Sequence, residues 1–384
     1  MTADVRVLVV GAGVIGVSVA YHLAAHPSVQ VTVCEQNQVA EVGATAKSGG
    51  LIRGLHMSDV DLELAARAVP LMRDLTARHA GPGRFRRTGF AFITDEANRG
   101  VLEAHVARAR QAGIRIALHD RESVRSAHPD LRLAATEVVA VEQDAGYAAP
   151  AEISAALARL AADRGVRFRL RSRVQHLSVG EGGPVVAELP GADVEADVVV
   201  LANGIWSHHL GATAGVSVPI RSRPIGTASV AATGAGPVRI PLVIDDVLGT
   251  YYRPDGDAGV LFGVDQELGD ERGSAELDRR TVLAARDALS ERVPRTAGAA
   301  VVGGGVGFEA YTPDRRPLVG WSGKPGIYLA TGMSGGGFKL AAGVGHAVAS
   351  EIATGAPNPM SAAYRPDRFA TSESISSDYT YSTV

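Results

Sequence analysis

The 384-residue sequence predicts an α/β fold in which a parallel sheet with flanking helices is interrupted by an α+β region. The aliphatic run Val5–Val10, followed at once by closely spaced glycines and an apolar segment, is typical of a buried parallel strand that leads into a helix. Strand and helix patterns then alternate until about residue 210. From Pro219 to about Gly263 short strands follow one another with little helix, which indicates an inserted β-rich part.

The first strand carries a dinucleotide-binding fingerprint. Gly11 permits the tight turn, Gly13 allows a pyrophosphate to approach the backbone, and Gly16 lets the helix pack closely. A second strand at Val31–Cys34 is followed by Glu35, nineteen residues after Gly16. At this position of the fingerprint a carboxylate accepts hydrogen bonds from the ribose hydroxyls. The alternative is a glycine-rich turn without a ligand. Glu35 disfavours a 2′-phosphate, but it does not distinguish FAD from NAD.

Composition excludes several partners and sites. The net charge of −3 predicts no nucleic-acid or anionic membrane partner, and no apolar run approaches the ~20 residues of a membrane span. We expect no secretory leader, because Val5–Val10 already forms a strand. The single cysteine, Cys34, excludes an internal disulfide, and the eleven histidines show no metal spacing. We therefore predict a cytoplasmic protein without a metal.

The remaining elements follow in order. A loop of small residues at Glu41–Arg53 is either flexible or packed against a ligand; its apolar end favours packing. Periodicity predicts helices at Asp59–His79, divided or kinked at Pro70, at Glu96–Ala112, at Asp120–His128, at Pro150 to about Arg164 and at about Ser274–Val293. Strands are predicted at Thr88–Thr94, Ile114–Leu118, Val166–Leu170, Val174–Val179, Val185–Glu188, Asp193–Ala202, Thr250–Arg253, Gly259–Gly263 and Ile327–Thr331.

Two turns carry further signals. Asn203-Gly204 follows a buried strand, at the edge where open α/β sheets place ligands. The glycine-rich stretch Gly332–Gly337 opens a helix that runs from Phe338 to about Ile352. Its free N–H groups favour a nearby negative charge, such as that of a reduced flavin; the alternative is an ordinary helix start.

The chain resembles the D-amino-acid-oxidase-like flavoproteins, in the branch of monomeric sarcosine oxidase, glycine oxidase and dimethylglycine dehydrogenase. The resemblance rests on the fingerprint with Glu35, Gly43–Arg53, Asp144-x-Gly146-Tyr147, Val200–Ser207, Thr312-Pro313-Asp314 and Ser334–Lys339. It implies FAD, and a substrate domain built on a large antiparallel sheet. The implied bounds are 1–82, 143–210 and 305–369 for a discontinuous Rossmann-like FAD-binding domain, and 83–142 and 211–304 for the substrate domain. Residues 370–384 are rich in Ser, Thr and Tyr without periodicity, which predicts a disordered tail.

The resemblance also places many residues at the cofactor. They are Gly11, Gly13, Val14, Ile15, Gly16, Glu35, Gln36, Ala44, Thr45, Lys47, Ser48, Gly49, Gly50, Leu51, Val174, Ala202, Asn203, Gly204, Trp206, Gly307, Met333, Gly335, Gly336, Gly337, Phe338 and Lys339.

Several positions depart from the family pattern. Gly336 replaces a frequent histidine, and an arginine near the flavin is replaced by Gly50. Gly307 and Lys47 stand where relatives attach flavin through a cysteine or a histidine, so we expect FAD without a covalent link. The lysine that assists the oxygen reaction of sarcosine oxidase corresponds to Leu261.

The resemblance assigns the substrate site to Arg53, Lys339 and Tyr252. Arg53 and Lys339 would clamp a carboxylate, because a buried anion needs paired cations and a guanidinium grips with two donors. Each residue also has a plain structural alternative. Arg53 could form a surface salt bridge, Lys339 could be a solvated side chain on the last helix, and Tyr252 could simply pack within its strand. Asp265, which corresponds to a pocket histidine, is more simply a loop acid.

These residues predict FAD-dependent oxidation of the C–N bond of an amino acid or N-alkyl amino acid to an imine. We expect molecular oxygen as acceptor, with hydrogen peroxide as product. The alternatives are a dehydrogenase that passes electrons to another acceptor and a flavin-binding subunit of a heteromeric oxidase. An NAD-dependent dehydrogenase is a weaker alternative. The sequence gives neither the substrate nor the oligomeric state.

Overall fold

The computed structural model describes residues 4–78, 81, 83–180, 182–264, 276–371, 374–375 and 379. The described residues form nine α-helices: α1 (Val14–Leu23), α2 (Ala44–Lys47), α3 (Asp59–Ala77), α4 (Arg99–Gln111), α5 (Arg121–Ala127), α6 (Pro150–Asp163), α7 (Ser207–Thr213), α8 (Arg279–Arg292) and α9 (Gly337–Thr354). They also form twenty strands: β1 (Val5–Val10), β2 (Val29–Cys34), β3 (Leu51–Ile52), β4 (Arg86–Arg87), β5 (Phe90–Asp95), β6 (Ile116–His119), β7 (Glu137–Glu142), β8 (Gly146–Tyr147), β9 (Arg167–Arg169), β10 (His176–Val179), β11 (Val185–Glu188), β12 (Val194–Ala196), β13 (Val198–Leu201), β14 (Arg221–Ala231), β15 (Leu242–Asp245), β16 (Thr250–Asp255), β17 (Gly259–Val264), β18 (Val301–Tyr311), β19 (Leu318–Trp321) and β20 (Ile327–Thr331).

The fingerprint lies in a six-stranded sheet of order β19-β20-β13-β1-β2-β9. All pairs are parallel except β19 with β20. Alternate side chains of β1 point to opposite faces of the sheet, and both faces are covered by other elements. Val7 and Val9 face the helices α1, α3, α6 and α9, whereas Leu8 and Val10 face the small sheet β10-β11-β12 and α7. The predicted doubly covered parallel sheet is confirmed.

A second sheet of eight strands has the order β18-β14-β17-β16-β15-β5-β7-β6. Its pairs are antiparallel except β15 with β5. The predicted strands Thr250–Arg253 and Gly259–Gly263 are present and pair as a hairpin, with Tyr252 opposite Phe262. The predicted large antiparallel sheet is therefore confirmed. The predicted domain boundary at residue 305 falls inside β18, which pairs with β14 along its length.

Other elements differ in detail from the predictions. Pro70 does not divide α3, which continues from Asp59 to Ala77. The predicted strand Asp193–Ala202 is two strands, β12 and β13. Most of the predicted tail, 370–384, lies outside the described residues, as does Asp265. Of the described part, Tyr379 is buried and its hydroxyl lies 2.9 Å from Thr94 Oγ1.

Two kinds of feature are lacking from the described ranges. No helix there is both long and apolar enough to cross a membrane. No group of three or more His, Cys, Asp or Glu side chains there is placed to hold a metal ion.

Candidate active site

The turn after β1 is built from glycines because the surrounding backbone leaves no space for side chains. Gly11 has a φ of +100°, and a Cβ there would lie 2.8 Å from the Ala202 carbonyl oxygen. A Cβ on Gly16 would lie 1.9 Å from the Gly11 carbonyl oxygen. The amide of Val14, at the start of α1, donates to Thr45 Oγ1 at 3.1 Å, so the second loop closes over the first turn. The result is a narrow cleft that begins at a helix N-terminus, which favours phosphate binding.

Glu35 is held at this cleft by backbone amides. Its Oε2 accepts from Ala12 N at 2.8 Å, and its Oε1 accepts from Asn37 N at 2.8 Å. A carboxylate oxygen has more than one lone pair, so each remains able to accept a ribose hydroxyl. The acid therefore stands where the fingerprint predicts it.

The cleft is a cavity of about 340 Å³ that runs from the first glycine turn to the start of α9. The predicted cofactor residues that line it are Gly11, Gly13, Val14, Ile15, Glu35, Gln36, Ala44, Thr45, Ser48, Val174, Ala202, Asn203, Gly204, Trp206, Met333, Gly335, Gly337 and Phe338. The shape and donors of the cleft fit a dinucleotide. Arg173, Gln175 and His209 also line it. The sequence analysis missed them although Val174 and the stretch Val200–Ser207 lie beside them.

Eight predicted cofactor residues do not line this cleft. Gly49, Leu51, Gly336 and Lys339 line the adjoining cavity instead. Gly16 and Gly50 act through close packing: a Cβ on Gly50 would lie 1.9 Å from the Ala148 carbonyl oxygen. Lys47 lies along β18, and a Cβ on Gly307 would lie 2.7 Å from Lys47 Cβ. The two departures at the family's attachment positions are thus neighbours in space.

The glycine turn before α9 separates the two cavities. Ser334 and Gly335 have φ values of 45° and 84°, and α9 begins at Gly337. Met333, Gly335 and Phe338 line both cavities. The N-terminus of α9 therefore points at the junction, where it favours a negative charge.

The second cavity has a volume of about 620 Å³ and contains both predicted clamp residues. Arg53 is only 6% exposed. Its Nη1 donates to the Leu55 carbonyl, and its guanidinium lies 5.3 Å from the centre of the Phe90 ring. Among the described residues its Nε has no hydrogen-bond partner. A buried donor without a partner is costly, and an anionic ligand in the cavity would satisfy it.

Lys339 lies on the first turn of α9 and is 7% exposed. Its Nζ donates to the Gly335 carbonyl at 3.1 Å. Burial and the Arg53 cation lower the pKa of Lys339 to about 7, against the opposing effects of Glu309 and Asp61. Arg53 and Lys339 are therefore two buried cations that repel each other, and an anion bound beside both would offset this repulsion.

Two buried side chains hold the loop that bears Arg53. Glu142 is buried and accepts from the amides of Gly54 and Leu55 at 2.9–3.0 Å. Arg253 donates through Nε to the Gly49 carbonyl at 2.6 Å and stacks on the Tyr147 ring at 4.3 Å. Sequence reasoning missed both positioning residues, because their partners lie 88 and 204 residues away along the chain.

Tyr252 does not line either cavity, which corrects the predicted pocket tyrosine. It is 0% exposed, and its hydroxyl donates to Asp245 at 3.1 Å within the core of the large sheet. Tyr251 lines the second cavity instead. Adjacent strand residues point to opposite faces of the sheet. A prediction that is wrong by one residue therefore places a core side chain in the cavity.

The second cavity also contains charged and polar groups that the sequence did not indicate. Glu309 and Tyr311 come from β18, Arg223 from β14, and His56 follows the Arg53 loop. His56 is buried, and burial beside Arg53 and Lys339 holds its pKa well below the usual value. The pattern G-F-E-A-Y in β18 was an available signal, since Glu309 and Tyr311 share one face of the strand.

Comparison with known proteins agrees with this geometry. Residues 6–351 match the family described as DAO, FAD dependent oxidoreductase. The chain is 28% identical over 385 residues to 4-methylaminobutanoate oxidase (formaldehyde-forming) of Paenarthrobacter nicotinovorans, covering 96% of this chain and 46% of that protein. It is 26% identical over 389 residues to mitochondrial sarcosine dehydrogenase of Mus musculus, covering 96% of this chain and 42% of that protein. The chain thus spans less than half the length of these relatives.

Among solved structures, the L-proline dehydrogenase from P. horikoshii is similar with a TM-score of 0.87. The match has 23% identity and covers 97% of this chain and 99% of that one. At this identity the likeness shows the fold alone.

Proposed function

Because the chain belongs to the DAO family of FAD dependent oxidoreductases, we propose that it oxidises the C–N bond of an amino acid or N-alkyl amino acid to an imine. The observation that carries this proposal is the pair Arg53 and Lys339, buried together in a cavity that meets the cofactor cleft at the start of α9. A pair of buried cations is suited to one carboxylate.

The chain's own residues bind and orient the reactants. Glu35 and the turn at Gly11–Gly16 hold the dinucleotide part, and the N-terminus of α9 stabilises negative charge on the bound cofactor. Arg53 and Lys339 hold the substrate carboxylate so that the carbon next to nitrogen faces the junction of the cavities. FAD, when bound there, would supply the acceptor for the hydrogen and bonding electron pair of that carbon. The imine product is then hydrolysed by water.

The names of similar proteins narrow the substrate class. The oxidase and the dehydrogenase among the curated relatives are named for 4-methylaminobutanoate and sarcosine, which are both amino acids with a secondary amine. N-alkyl amino acids are therefore the first candidate substrates. The formaldehyde in the name of the first relative stays a property of that protein, because this chain spans 46% of its length.

We propose molecular oxygen as the electron acceptor, reduced to hydrogen peroxide. A dehydrogenase is the second candidate, and Leu261 favours it, because an apolar residue there offers no charge to stabilise superoxide. A subunit of a larger oxidase is the third. The cytoplasmic location stays a prediction from the cysteine usage.

An anaerobic screen tests the proposal. The purified protein with FAD is mixed with primary, N-methyl and cyclic amino acids and with their decarboxylated amines, and flavin bleaching is followed at 450 nm. We expect bleaching by amino acids but not by the amines. Admission of air should restore the colour with one peroxide per turnover. Bleaching by amines alone, or by no compound, contradicts the substrate class; slow return of colour without peroxide favours the dehydrogenase.

A further inference from the structure

Glu309 occupies the junction of the two cavities. It lines both of them, and its Oε2 lies 3.8 Å from the position that a Cβ on Gly335 would take. The hydroxyl of Tyr311 lies 3.3 Å from the same point. Lys339 Nζ donates to the Gly335 carbonyl at 3.1 Å. A carboxylate, a hydroxyl and an ammonium group therefore surround the glycine turn at which the substrate carbon must meet the cofactor.

The other acids of the second cavity are engaged by arginines. Asp61 pairs with Arg316 at 2.7 Å, and Asp314 pairs with Arg368 at 2.9 Å. Within the described part of the chain, no cation lies within 4.0 Å of the Glu309 carboxylate. Glu309 is thus the acid of this cavity whose charge is left for a ligand.

The charges of the cavity match the two poles of an amino acid. Arg53 and Lys339 supply the cationic pole and Glu309 the anionic one. An alkylammonium group is protonated at neutral pH, since the comparable lysine side chain titrates at about 10.4. The nitrogen must lose a proton before its lone pair can form the C=N bond. The proposed oxidation therefore needs a proton acceptor beside the amine.

We propose that Glu309 binds the ammonium group of the substrate and accepts its proton before the C–H bond breaks; this rests on the proposed function. In the first step an N–H bond breaks and an O–H bond forms on Glu309. In the second the C–H bond breaks, its hydrogen and electron pair pass to FAD, and the nitrogen lone pair forms the C=N bond. The substrate loses two electrons and FAD gains them.

The surroundings of Glu309 suit this role. Burial raises the pKa of its carboxyl, against the opposing effects of Lys339, Tyr311 and Arg223, which makes it a better proton acceptor than an exposed acid. Arg223 is its cross-strand partner and lies over the Tyr311 ring at 5.3 Å. Tyr251 faces it from β16, and the Glu309 charge contributes to raising the pKa of that tyrosine.

The pH dependence of flavin reduction tests proton transfer. The variants are Glu309→Gln, which keeps the shape without the charge, and Glu309→Asp, which keeps the charge. FAD content is measured for each. We expect Glu309→Gln to lower the rate of anaerobic reduction at pH 7 by about 10²–10⁴-fold, the usual range of general base catalysis. The rate should recover as pH rises toward the pKa of the free amine, and Glu309→Asp should retain part of the activity. An unchanged pH profile in fully loaded Glu309→Gln overturns proton transfer.

Binding of a matched ligand pair tests the charge without turnover. Betaine and 3,3-dimethylbutanoate have the same shape, but only betaine has a positive charge. Their dissociation constants are measured by titration of the oxidised holoenzyme. Wild type should prefer betaine by about tenfold, and Glu309→Gln should lose that preference while it still binds 3,3-dimethylbutanoate. Equal binding of the pair by wild type, or binding of neither, overturns the ammonium site.

The two tests separate this inference from the proposed function. If an amino acid bleaches the wild-type flavin and Glu309→Gln behaves like wild type, only the role of Glu309 is wrong. If no amino acid bleaches the flavin, the proposed function fails, and the ligand pair still decides whether Glu309 holds a cation.

Discussion

Replacing Arg53 with alanine should remove the preference of the enzyme for a carboxylate-bearing substrate. Arg53 is 6% exposed, Nη1 is used by the Leu55 carbonyl, and Nε has no partner among the described residues. One edge of the guanidinium is therefore available for two parallel bonds. A hydrogen bond to a charged group contributes about 1.5–3 kcal/mol. About 1.4 kcal/mol corresponds to tenfold. Loss of even one such bond should therefore lower kcat/KM about ten- to a hundredfold, and loss of both should lower it further.

The assay compares an amino acid with its decarboxylated amine in anaerobic flavin reduction. Wild type should prefer the acid, and Arg53→Ala should largely erase that preference with little change for the amine. Arg53→Lys should also be impaired, because an ammonium group cannot reproduce the fork. Arg315→Ala is the matched control, since it removes an equal charge from an exposed position at the same cavity. An unchanged acid-to-amine ratio in Arg53→Ala with full FAD content refutes the clamp.

Four further predictions follow from other residues. Acid precipitation should release the yellow colour into the supernatant, since Gly307 and Lys47 replace both attachment residues; colour in the pellet would show a covalent link. Leu261→Lys should quicken reoxidation by air in stopped-flow traces, and no change would mean that this position does not control the acceptor. The affinity for a carboxylate ligand should fall as pH rises through about 7, where Lys339 loses its proton, and Lys339→Arg should flatten this dependence because arginine stays charged. Glu142→Ala should raise KM about tenfold or more at constant FAD content, since losing its bonds to Gly54 and Leu55 costs about 1–3 kcal/mol and loosens the Arg53 loop; an unchanged KM would contradict this positioning role.

The parts of the site that depend on neighbouring residues were predictable from the sequence. The turn at Gly11–Gly16, the acid at Glu35 and the glycine turn before α9 are local structures, in which glycine spacing and aliphatic runs determine the backbone path. The resemblance added Arg53 and Lys339, and the structure brings both into one cavity. Their role in substrate binding stays a prediction.

Side-chain direction along strands was less predictable. Tyr251 and Tyr252 are adjacent, and the sequence around them does not distinguish them. Tyr251 lines the cavity, whereas Tyr252 lies in the core. A strand alternates with period two, but its phase depends on which face the rest of the sheet buries. Only the pairing of β16 with β15 and β17 decides that phase.

By itself the sequence determined a dinucleotide cleft, because its features are encoded within short stretches around Gly11, Glu35 and Gly335. The choice of FAD over NAD came from the resemblance. Only the tertiary structure decided the charge pattern of the second cavity. Arg53, Glu309 and Lys339 come from separate segments, and each has little meaning until the large sheet, the Arg53 loop and α9 meet. Their placement in one cavity depends on burial and hydrogen bonds between residues far apart in the chain, such as Glu142 with Gly54, and no local pattern specifies such pairs.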